Sequence, residues 1–268
     1  MGMIEGSPVI VKDDDGRNKY AHAYVCVVRG VRDAGDNQQA QMKRDYPMIM
    51  TNNSKIIADM ERWKNGDIVH VKGILAAKEI KKGSYCTHCN EKNLNMGTLV
   101  YVAPIYAKAM AHYDSKDECI EYLAEHREVS NQAFVFGKLC RQPKPTKTKS
   151  GLTLTRYQIA LNRKFHIKED PPEVRSDYPW VSSYGENALR DKQYLQVGSE
   201  IFLDGCLHAR SVMRHAECGA CHKEYNWKDN ILEIVPYDVE YLNFFKTSEE
   251  LAEEEREKRR EVDKKIFG

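Results

Sequence analysis

Residues 67–75 read DIVHVKGIL, and residues 200–207 read EIFLDGCL. Both stretches alternate apolar and polar residues, as expected for a β-strand with one buried face. Each is interrupted by a glycine, Gly73 or Gly205, at a position typical of a bend or a β-bulge. Short strands that bend at glycines suit a small closed barrel better than a sandwich. These two stretches therefore predict two small β-barrels.

The two glycines are 132 residues apart, and the same spacing relates much of the chain to itself. Shifted by 132, residues 45–127 match residues 177–259 at fifteen positions without a gap. Such internal similarity predicts two copies of one fold. In the first copy the matching residues are Asp45, Tyr46, Pro47, Asp59, Gly66, Gly73, Leu75, Ala77, Cys86, Cys89, Pro104, Glu118, Glu121, Glu125 and Arg127.

Each copy repeats one order of elements: β-rich segments, the strand with the glycine, a long insert, a returning strand and a helix. Capping boxes mark both helices, Ser115 with Glu118 and Thr247 with Glu250. The sequence thus predicts a mainly β protein with two tandem five-stranded barrels, each followed by an α-helix. We predict the first barrel in residues 1–113, a linker helix in 114–129, the second barrel in 130–246 and a charged C-terminal helix in 247–268.

The chain has 268 residues, a formal net charge of +1 and a hydrophobic fraction of 41%. These values exclude an acidic disordered chain and a chain that is basic throughout. No apolar run reaches the length of a membrane-spanning helix, and the start MGMIEGSPVIVKDDDG lacks the pattern of a secretion signal. We expect a cytoplasmic protein without a membrane partner, whose cysteines bind metal or pack in the core.

The second copy resembles a known family. NQAFVFGKLCRQPKPTKTKSGLTLTRYQIALNR (131–163) is similar to the opening of bacterial and phage single-stranded DNA-binding proteins. DYPWVSSYGENA (177–188) resembles their third strand and short helix, and GSEIFLDGCLHAR (198–210) resembles the stretch that follows. The residues that carry the resemblance are Gly137, Thr148, Ser150, Gly151, Ala160, Asn162, Arg163, Gly198, Gly205, Leu207 and Arg210.

The resemblance covers about residues 130–242, and the first copy is recognisable mainly through the repeat. It implies an OB fold, a five-stranded Greek-key barrel, in agreement with the strand pattern. It also implies sequence-independent binding and protection of single-stranded DNA in replication, recombination or mobile-element transfer, in association with the nucleoid.

The residues themselves point to a polyanion. From Lys138 to Lys168 there are nine lysines and arginines and no acidic residue, which marks one basic face on a nearly neutral protein. The loop RQPKPTKTKSG (141–151) lies where OB folds flank their binding face. In the third strand we predict that Tyr178, Trp180 and Tyr184 point outward, where bases can stack on them.

The long insert VMRHAECGACHKEYNWKDN (212–230) adds rings and cations that we expect to fold over a bound strand. The first copy has the acidic loop KDDDGRN (12–18) and methionines in its third strand, so we expect the second copy to dominate DNA binding. The predicted DNA-binding residues are Lys144, Lys147, Lys149, Arg156, Arg163, Lys164, Tyr178, Trp180, Tyr184, Arg210, Tyr225, Trp227 and, in the first copy, Tyr46.

Each insert holds one Cys-x-x-Cys pair, in YCTHCN (85–90) and in ECGACH (217–222). A closed zinc site takes four Cys or His ligands. We predict a structural Zn²⁺ shared between the copies by Cys86, Cys89, Cys218 and Cys221. Two other arrangements stay open: local completion by His88 in one copy and His215 or His222 in the other, and a site between two chains. The remaining cysteines are read as core residues.

No phosphate-binding loop, dinucleotide-binding glycine motif, nucleophile elbow or zinc-deaminase signature occurs in the sequence, so we do not expect an enzyme. One alternative is an OB-fold scaffold that organises a replication or conjugation complex, and another is an RNA-binding protein. Two chains of two barrels each would give the four barrels common in the resembled family. The chain ends REVDKKIFG without the acidic tip of that family, so we do not expect partner recruitment by such a tip.

Overall fold

The computed structural model describes residues 1–29, 42–163, 167 and 175–267. In the first repeat, five strands close a barrel: β1 pairs with β2, β2 with β4, β4 in parallel with β6, β6 with β5, and β5 with β1. A short strand, β3, extends β2. The strands are β1 (Gly2–Lys12), β2 (Asn18–Arg29), β3 (Lys43–Asp45), β4 (Met48–Thr51), β5 (Asp67–Tyr85) and β6 (Lys92–His112).

The second repeat closes in the same order: β7 with β9, β9 with β11, β11 in parallel with β13, β13 with β12, and β12 with β7. Two short strands, β8 and β10, also pair with β9. The fold prediction of two tandem OB barrels is confirmed. The strands are β7 (Ala133–Leu139), β8 (Lys144–Lys147), β9 (Thr153–Asn162), β10 (Ser176–Asp177), β11 (Trp180–Tyr184), β12 (Glu200–Glu217) and β13 (Glu224–Asn243).

Both predicted glycine bends are present. The register of β5 shifts at Gly73, and that of β12 shifts at Gly205. A Cβ at Gly73 would lie 2.5 Å from the carbonyl oxygen of Ala103, and one at Gly205 would lie 2.4 Å from that of Val235. Only glycine permits this close approach of the neighbouring strand, which lets each long strand bend around its barrel.

A helix follows each barrel, as predicted. At the start of the C-terminal helix, the N–H of Thr247 donates to Glu250 (2.8 Å) and the N–H of Glu250 donates to the Thr247 hydroxyl (3.2 Å), which completes the capping box. At the start of α2 the Ser115 hydroxyl accepts the N–H of Asp117 at 3.2 Å. Among the described residues no helix is both long and apolar enough to cross a membrane. The helices are α1 (Ser54–Met60), α2 (Lys116–Glu125), α3 (Gly185–Tyr194) and α4 (Ser248–Phe267).

The two barrels contact each other through reciprocal hydrogen bonds. The carboxylate of Asp45 in the first repeat accepts the backbone N–H of Ala209 in the second at 3.0 Å. The carboxylate of Asp177 in the second repeat accepts the backbone N–H of Ala77 in the first at 2.7 Å. These four residues are equivalent under the 132-residue shift, so the repeats are related by a pseudo-two-fold axis.

A buried arginine neutralises each of these carboxylates. Arg29 donates to Asp45 at 2.5 Å, and Arg163 donates to Asp177 through Nη2 at 2.7 Å. His208 also contacts Asp45. Burial alone would raise the pKa of the Asp45 carboxyl, but the contacts with His208 and Arg29 outweigh burial and lower it. Removing one partner of a buried ion pair typically costs about 3–5 kcal/mol, so these contacts hold the barrels in one arrangement.

Candidate nucleic-acid interface and cysteine cluster

The outer face of the second barrel carries a tryptophan between two cations. Trp180 on β11 points outward, while Val181 beside it is fully buried in the core. The guanidinium carbon of Arg156 on β9 lies 5.0 Å from the centre of the Trp180 ring, and that of Arg141 lies 5.7 Å away. Both are within cation–π range. The ring is therefore held in place beside two fixed positive charges.

A buried carboxylate organises the cations of this face. Glu233 on β13 is fully buried and accepts two hydrogen bonds from Arg210 at 2.7 and 3.1 Å. Arg156 contacts the same carboxylate at 3.5 Å. Burial alone would lower the pKa of Arg210, but the hydrogen bonds and charge of Glu233 raise it. The two guanidinium groups are thereby fixed across β9, β12 and β13.

Tyr184 lies on the same face as Trp180, because the two residues are four positions apart in β11 and side chains alternate along a strand. It is half-buried, and burial raises the pKa of its hydroxyl, which remains a neutral hydrogen-bond donor. Tyr178 precedes the strand and is 49% exposed, with its carbonyl oxygen accepting from the side chain of Gln158. These two residues and Trp180 place three accessible rings along one edge of the second barrel.

The predicted basic loop is an ordered hairpin. Strand β8 pairs with β9, so that Lys144 lies directly opposite Arg156 and Lys147 lies opposite Thr153. The turn is closed by Thr148, whose hydroxyl accepts the N–H of Leu152 at 3.0 Å. The side chains of Lys144, Lys147 and Lys149 are all exposed. This hairpin extends the cationic row from Arg156 into solvent.

The structure places four of the predicted DNA contacts away from the accessible Trp180 face. Arg163 is 5% exposed because it is paired with Asp177 between the barrels. Tyr225 and Trp227 are buried against the cysteines of the long inserts. Tyr46 packs beside α2 and the core around Met3 and Cys119, and does not continue the row of rings. Lys164 lies outside the described residues, and Cys140, read from sequence as a core residue, is exposed.

The long inserts form two antiparallel hairpin arms, the first arm at residues 78–99 and the second arm at residues 210–231. Their inner faces pack together. The hydroxyl of Tyr225 contacts that of Ser84 at 2.7 Å and accepts the side-chain N–H of Asn95 at 3.0 Å. Lys82 donates to the buried Asp229 at 2.6 Å. Tyr225 and Trp227 therefore hold the arms together instead of presenting their rings to a ligand.

The four cysteines of the two pairs meet at the tips of the arms, with all four sulfur atoms within 4.8 Å of one another. The Sγ atoms of Cys86 and Cys221 are 3.8 Å apart, and those of Cys89 and Cys218 are 3.6 Å apart. Each contact joins one repeat to the other. The arrangement matches the predicted shared site rather than local completion by histidines.

Both pairs lie in turns of the same construction. Asn90 and His222 are equivalent residues with positive φ angles of 59° and 54°. The N–H of Asn90 donates to the carbonyl of Cys86, as the N–H of His222 does to that of Cys218. Backbone N–H groups of Cys221 and Ala220 lower the pKa of the Cys218 thiol to about 6. The second turn thus favours the thiolate that metal ions bind at Cys218, whereas in the first turn the backbone N–H of Glu91 lowers the pKa of Cys89 but burial and the neighbouring thiols outweigh it and raise this pKa to about 12.

The donor set fits zinc. A tetrahedral site with metal–sulfur distances of about 2.3 Å has sulfur–sulfur edges of about 3.8 Å. The two cross-repeat contacts, 3.8 and 3.6 Å, are close to this value. Four thiols with no carboxylate among them favour a soft or borderline ion over Mg²⁺ or Ca²⁺. With four protein ligands, a bound ion would have no open position for a substrate.

The barrels and their outer face define a tandem OB-fold protein with an aromatic, cationic surface on its second barrel. Residues 130–226 match the Single-strand binding protein family. The match lies within the second repeat, which is therefore similar in sequence to this family. Comparison with curated proteins gives no match.

Two solved structures share the fold of nearly the whole chain, and both are of the single-stranded DNA binding protein from Thermus aquaticus. A deletion mutant of that protein aligns with a TM-score of 0.59 and 15% identity, covering 92% of this chain and 94% of the other. The wild-type protein aligns with a TM-score of 0.58 and 13% identity, covering 92% of both chains. At this level of identity the comparison establishes the fold.

Proposed function

We propose that this chain binds single-stranded DNA with little sequence preference and protects it during replication, recombination or mobile-element transfer in the cytoplasm. The observation that carries the proposal is the Trp180 ring held between Arg141 and Arg156 on the outer face of the second barrel. Every base has a π-face, so a ring flanked by cations binds unpaired bases of any sequence. The exposed lysines of the β8–β9 hairpin would contact the phosphates.

The two repeats would contribute unequally. In the second barrel Trp180 lies opposite Gln158, and in the first barrel the equivalent pair is Met48 opposite Tyr24. Tyr24 is exposed and Met48 is half-buried, so this face offers a ring and a thioether, and among the described residues no arginine lies over the Tyr24 ring. We therefore propose that the second repeat supplies most of the affinity. We keep the division into residues 1–113, 114–129, 130–246 and 247–268 as the proposed domain boundaries.

We also propose that Cys86, Cys89, Cys218 and Cys221 hold one structural Zn²⁺. The ion would join the tips of the two arms and keep them packed together. No catalytic step is assigned to it, since all of its ligands would be protein thiolates.

Titration with oligonucleotides tests the proposed function. Trp63 and Trp227 are 6% and 7% exposed, so Trp180 is the tryptophan best placed to report binding. Oligo-dT is expected to quench its fluorescence saturably, with a slope of log affinity against log salt of about −3 for four phosphate contacts. Stronger binding of oligo-rU would favour the RNA-binding alternative. No binding of oligo-dT, oligo-rU or duplex DNA would contradict the proposal and favour a scaffold.

An apolar face on the second barrel is proposed to join two chains. Phe134 and Phe136 on β7 are each 61% exposed, and Phe202 on β12 lies directly opposite Phe136. Lys138 and Glu200 form an ion pair at the rim of this face, with N and O atoms 3.6 Å apart. A face with adjacent opposite charges is complementary to itself, as a two-fold interface requires. Two chains would bring four barrels together.

Phe136→Asp is expected to convert the dimer to a monomer, because it places a carboxylate in the centre of this face. Native mass spectrometry measures the chain count directly. Leu189→Asp, on the exposed side of α3, is the matched control and should leave the dimer intact. A wild-type monomer, or a Phe136→Asp dimer of unchanged stability, would contradict the proposed interface.

A further inference from the structure

A cavity of about 350 Å³ opens between the two arms. Glu79 and residues 95–98 of the first arm form one side, and Arg214, His215 and Trp227 of the second arm form the other. Its volume is at the lower end of the range for small-molecule sites. Both repeats are needed to form it, and neither the aromatic face nor the cysteine cluster includes it.

The groups around the cavity suit one nucleotide. Arg214 has a side chain that is 54% exposed, although its Nε atom lies 3.3 Å from the carboxylate of Asp229. Lys82 also pairs with the Asp229 carboxylate. Arg214, Lys82 and Asp229 together therefore carry a net charge of about +1, which suits a phosphate. Met96 is 64% exposed and offers a soft thioether against which a base can pack, whereas Trp227 is 7% exposed and only forms part of the wall.

Glu79 also lines the cavity, and its carboxylate would repel a phosphate. It can instead accept a hydrogen bond from a base, because all four bases carry at least one N–H on their pairing edge. The two charges therefore set one orientation, with the base edge toward Glu79 and the phosphate toward Arg214. A site with this arrangement does not require a particular base.

A row of arginines connects this cavity to the Trp180 face. Arg210 and Arg214 lie four residues apart on β12, and so point to the same side of the strand about 13 Å from each other. Burial lowers the pKa of the Arg156 guanidinium, and the positive charges of Arg210 and Arg214 add to this shift. Arg156 and Arg210 contact the same carboxylate of Glu233, and Arg214 follows on the same side of β12, so the three arginines form a row from Trp180 to the cavity.

We propose that the cavity between the arms binds one nucleotide of the same DNA strand whose neighbouring bases lie on Trp180 and Tyr184. This inference rests on the proposed function and extends it. The first repeat then contributes to the footprint through its arm. Packing of the arms against each other becomes part of DNA binding, because separating them would divide the site.

Met96→Glu tests this inference, since it introduces a carboxylate at the cavity wall without disturbing a buried group. Met96 is 64% exposed, and Met110, 58% exposed on the same strand, is the matched control at the far end of β6. Affinities are measured for oligo-dT of about 5 and about 30 nucleotides. We expect Met96→Glu to weaken binding of the long oligonucleotide about tenfold, and Met110→Glu to leave it unchanged.

Equal affinity of Met96→Glu and Met110→Glu for the long oligonucleotide would overturn the inference. Binding of the short oligonucleotide should stay unchanged in both variants, because it occupies the Trp180 face alone. The proposed function fails separately if wild-type protein does not bind oligo-dT, or if Trp180→Ala leaves its affinity unaltered. Loss of long-strand affinity in Met110→Glu as well would also overturn the inference, since that residue is remote from the cavity.

Discussion

Replacing Trp180 and Tyr184 together with alanine is expected to weaken oligo-dT binding by about thirtyfold or more. Stacking of one base on an aromatic side chain contributes about 1–3 kcal/mol by alanine substitution, so two lost rings remove about 2–6 kcal/mol. The loss should persist at high salt, because stacking does not release counterions. Fluorescence anisotropy of a labelled oligo-dT measures it, since the variant lacks the Trp180 signal.

The control for this experiment comes from the first repeat. Tyr24 and Met48 lie opposite each other at the positions equivalent to Gln158 and Trp180, and their joint replacement by alanine should change affinity only slightly. The unfolding temperature shows whether each variant is folded. Unaltered affinity in the Trp180 and Tyr184 variant would mean that the stacking face is elsewhere. An equal loss in both variants would contradict the unequal contribution of the repeats.

The fold could be predicted because the repeat preserves the residues that determine backbone geometry. Gly73 and Gly205 occupy bulges where a Cβ would collide with the facing strand, so their spacing carries structural information. The cysteine cluster could be predicted for a similar reason: Cys86 and Cys218 are equivalent, and a pseudo-two-fold axis brings equivalent loops together. Alternation along β9 is also visible in the sequence, and its apolar residues Tyr157 and Ile159 are fully buried.

The sequence did not reveal which outward-facing side chains are covered by the other repeat. Tyr225 and Trp227 alternate with Asn226 and Lys228 on β13, so they share a face, but only the packing of the arms shows that this face is buried. Arg163 was misassigned for the same reason, because its partner Asp177 lies in a neighbouring strand at the contact between the barrels. A basic residue on a polar face is available to a ligand only when its side chain stays exposed in the folded protein, as that of Arg214 does and that of Arg163 does not.

One signal for the contact between the barrels was present in the sequence. Asp45 and Asp177 are part of the repeated DYP, and Ala77 and Ala209 also match under the shift. Unlike the repeated glycines and cysteines, these four residues are not explained by the bends of the barrels or by the cysteine cluster. The structure shows that each aspartate accepts the backbone N–H of the alanine in the other repeat. The role of Glu233 beneath Arg156 and Arg210 could not be predicted from the sequence, since an acidic residue is not expected under a face proposed to bind DNA.

Cys218→Ser is expected to abolish stoichiometric zinc binding, which in the wild-type protein should be one ion per chain by elemental analysis. A serine hydroxyl is a poor ligand for Zn²⁺ at neutral pH, and the other three thiolates would be left in an open site. Structural zinc can contribute about 10–16 kcal/mol to folding in small domains. Here the expected loss of order is local to the arms, because both barrels have their own cores.

Hydrogen exchange distinguishes a local effect of the metal from a global one. Amides of the arm tips, near Tyr85 and Tyr225, should lose protection in Cys218→Ser, while those of Tyr157 and Ile57 in the barrel cores should keep it. Cys140→Ser is the matched control, because Cys140 is exposed and outside the cluster. Lowering the pH should release the ion from the wild-type protein, since protons compete for the thiolates. The absence of zinc from the wild-type protein would contradict a metal that holds the repeats together. So would arm-tip amides that are equally protected from hydrogen exchange before and after chelation of the metal.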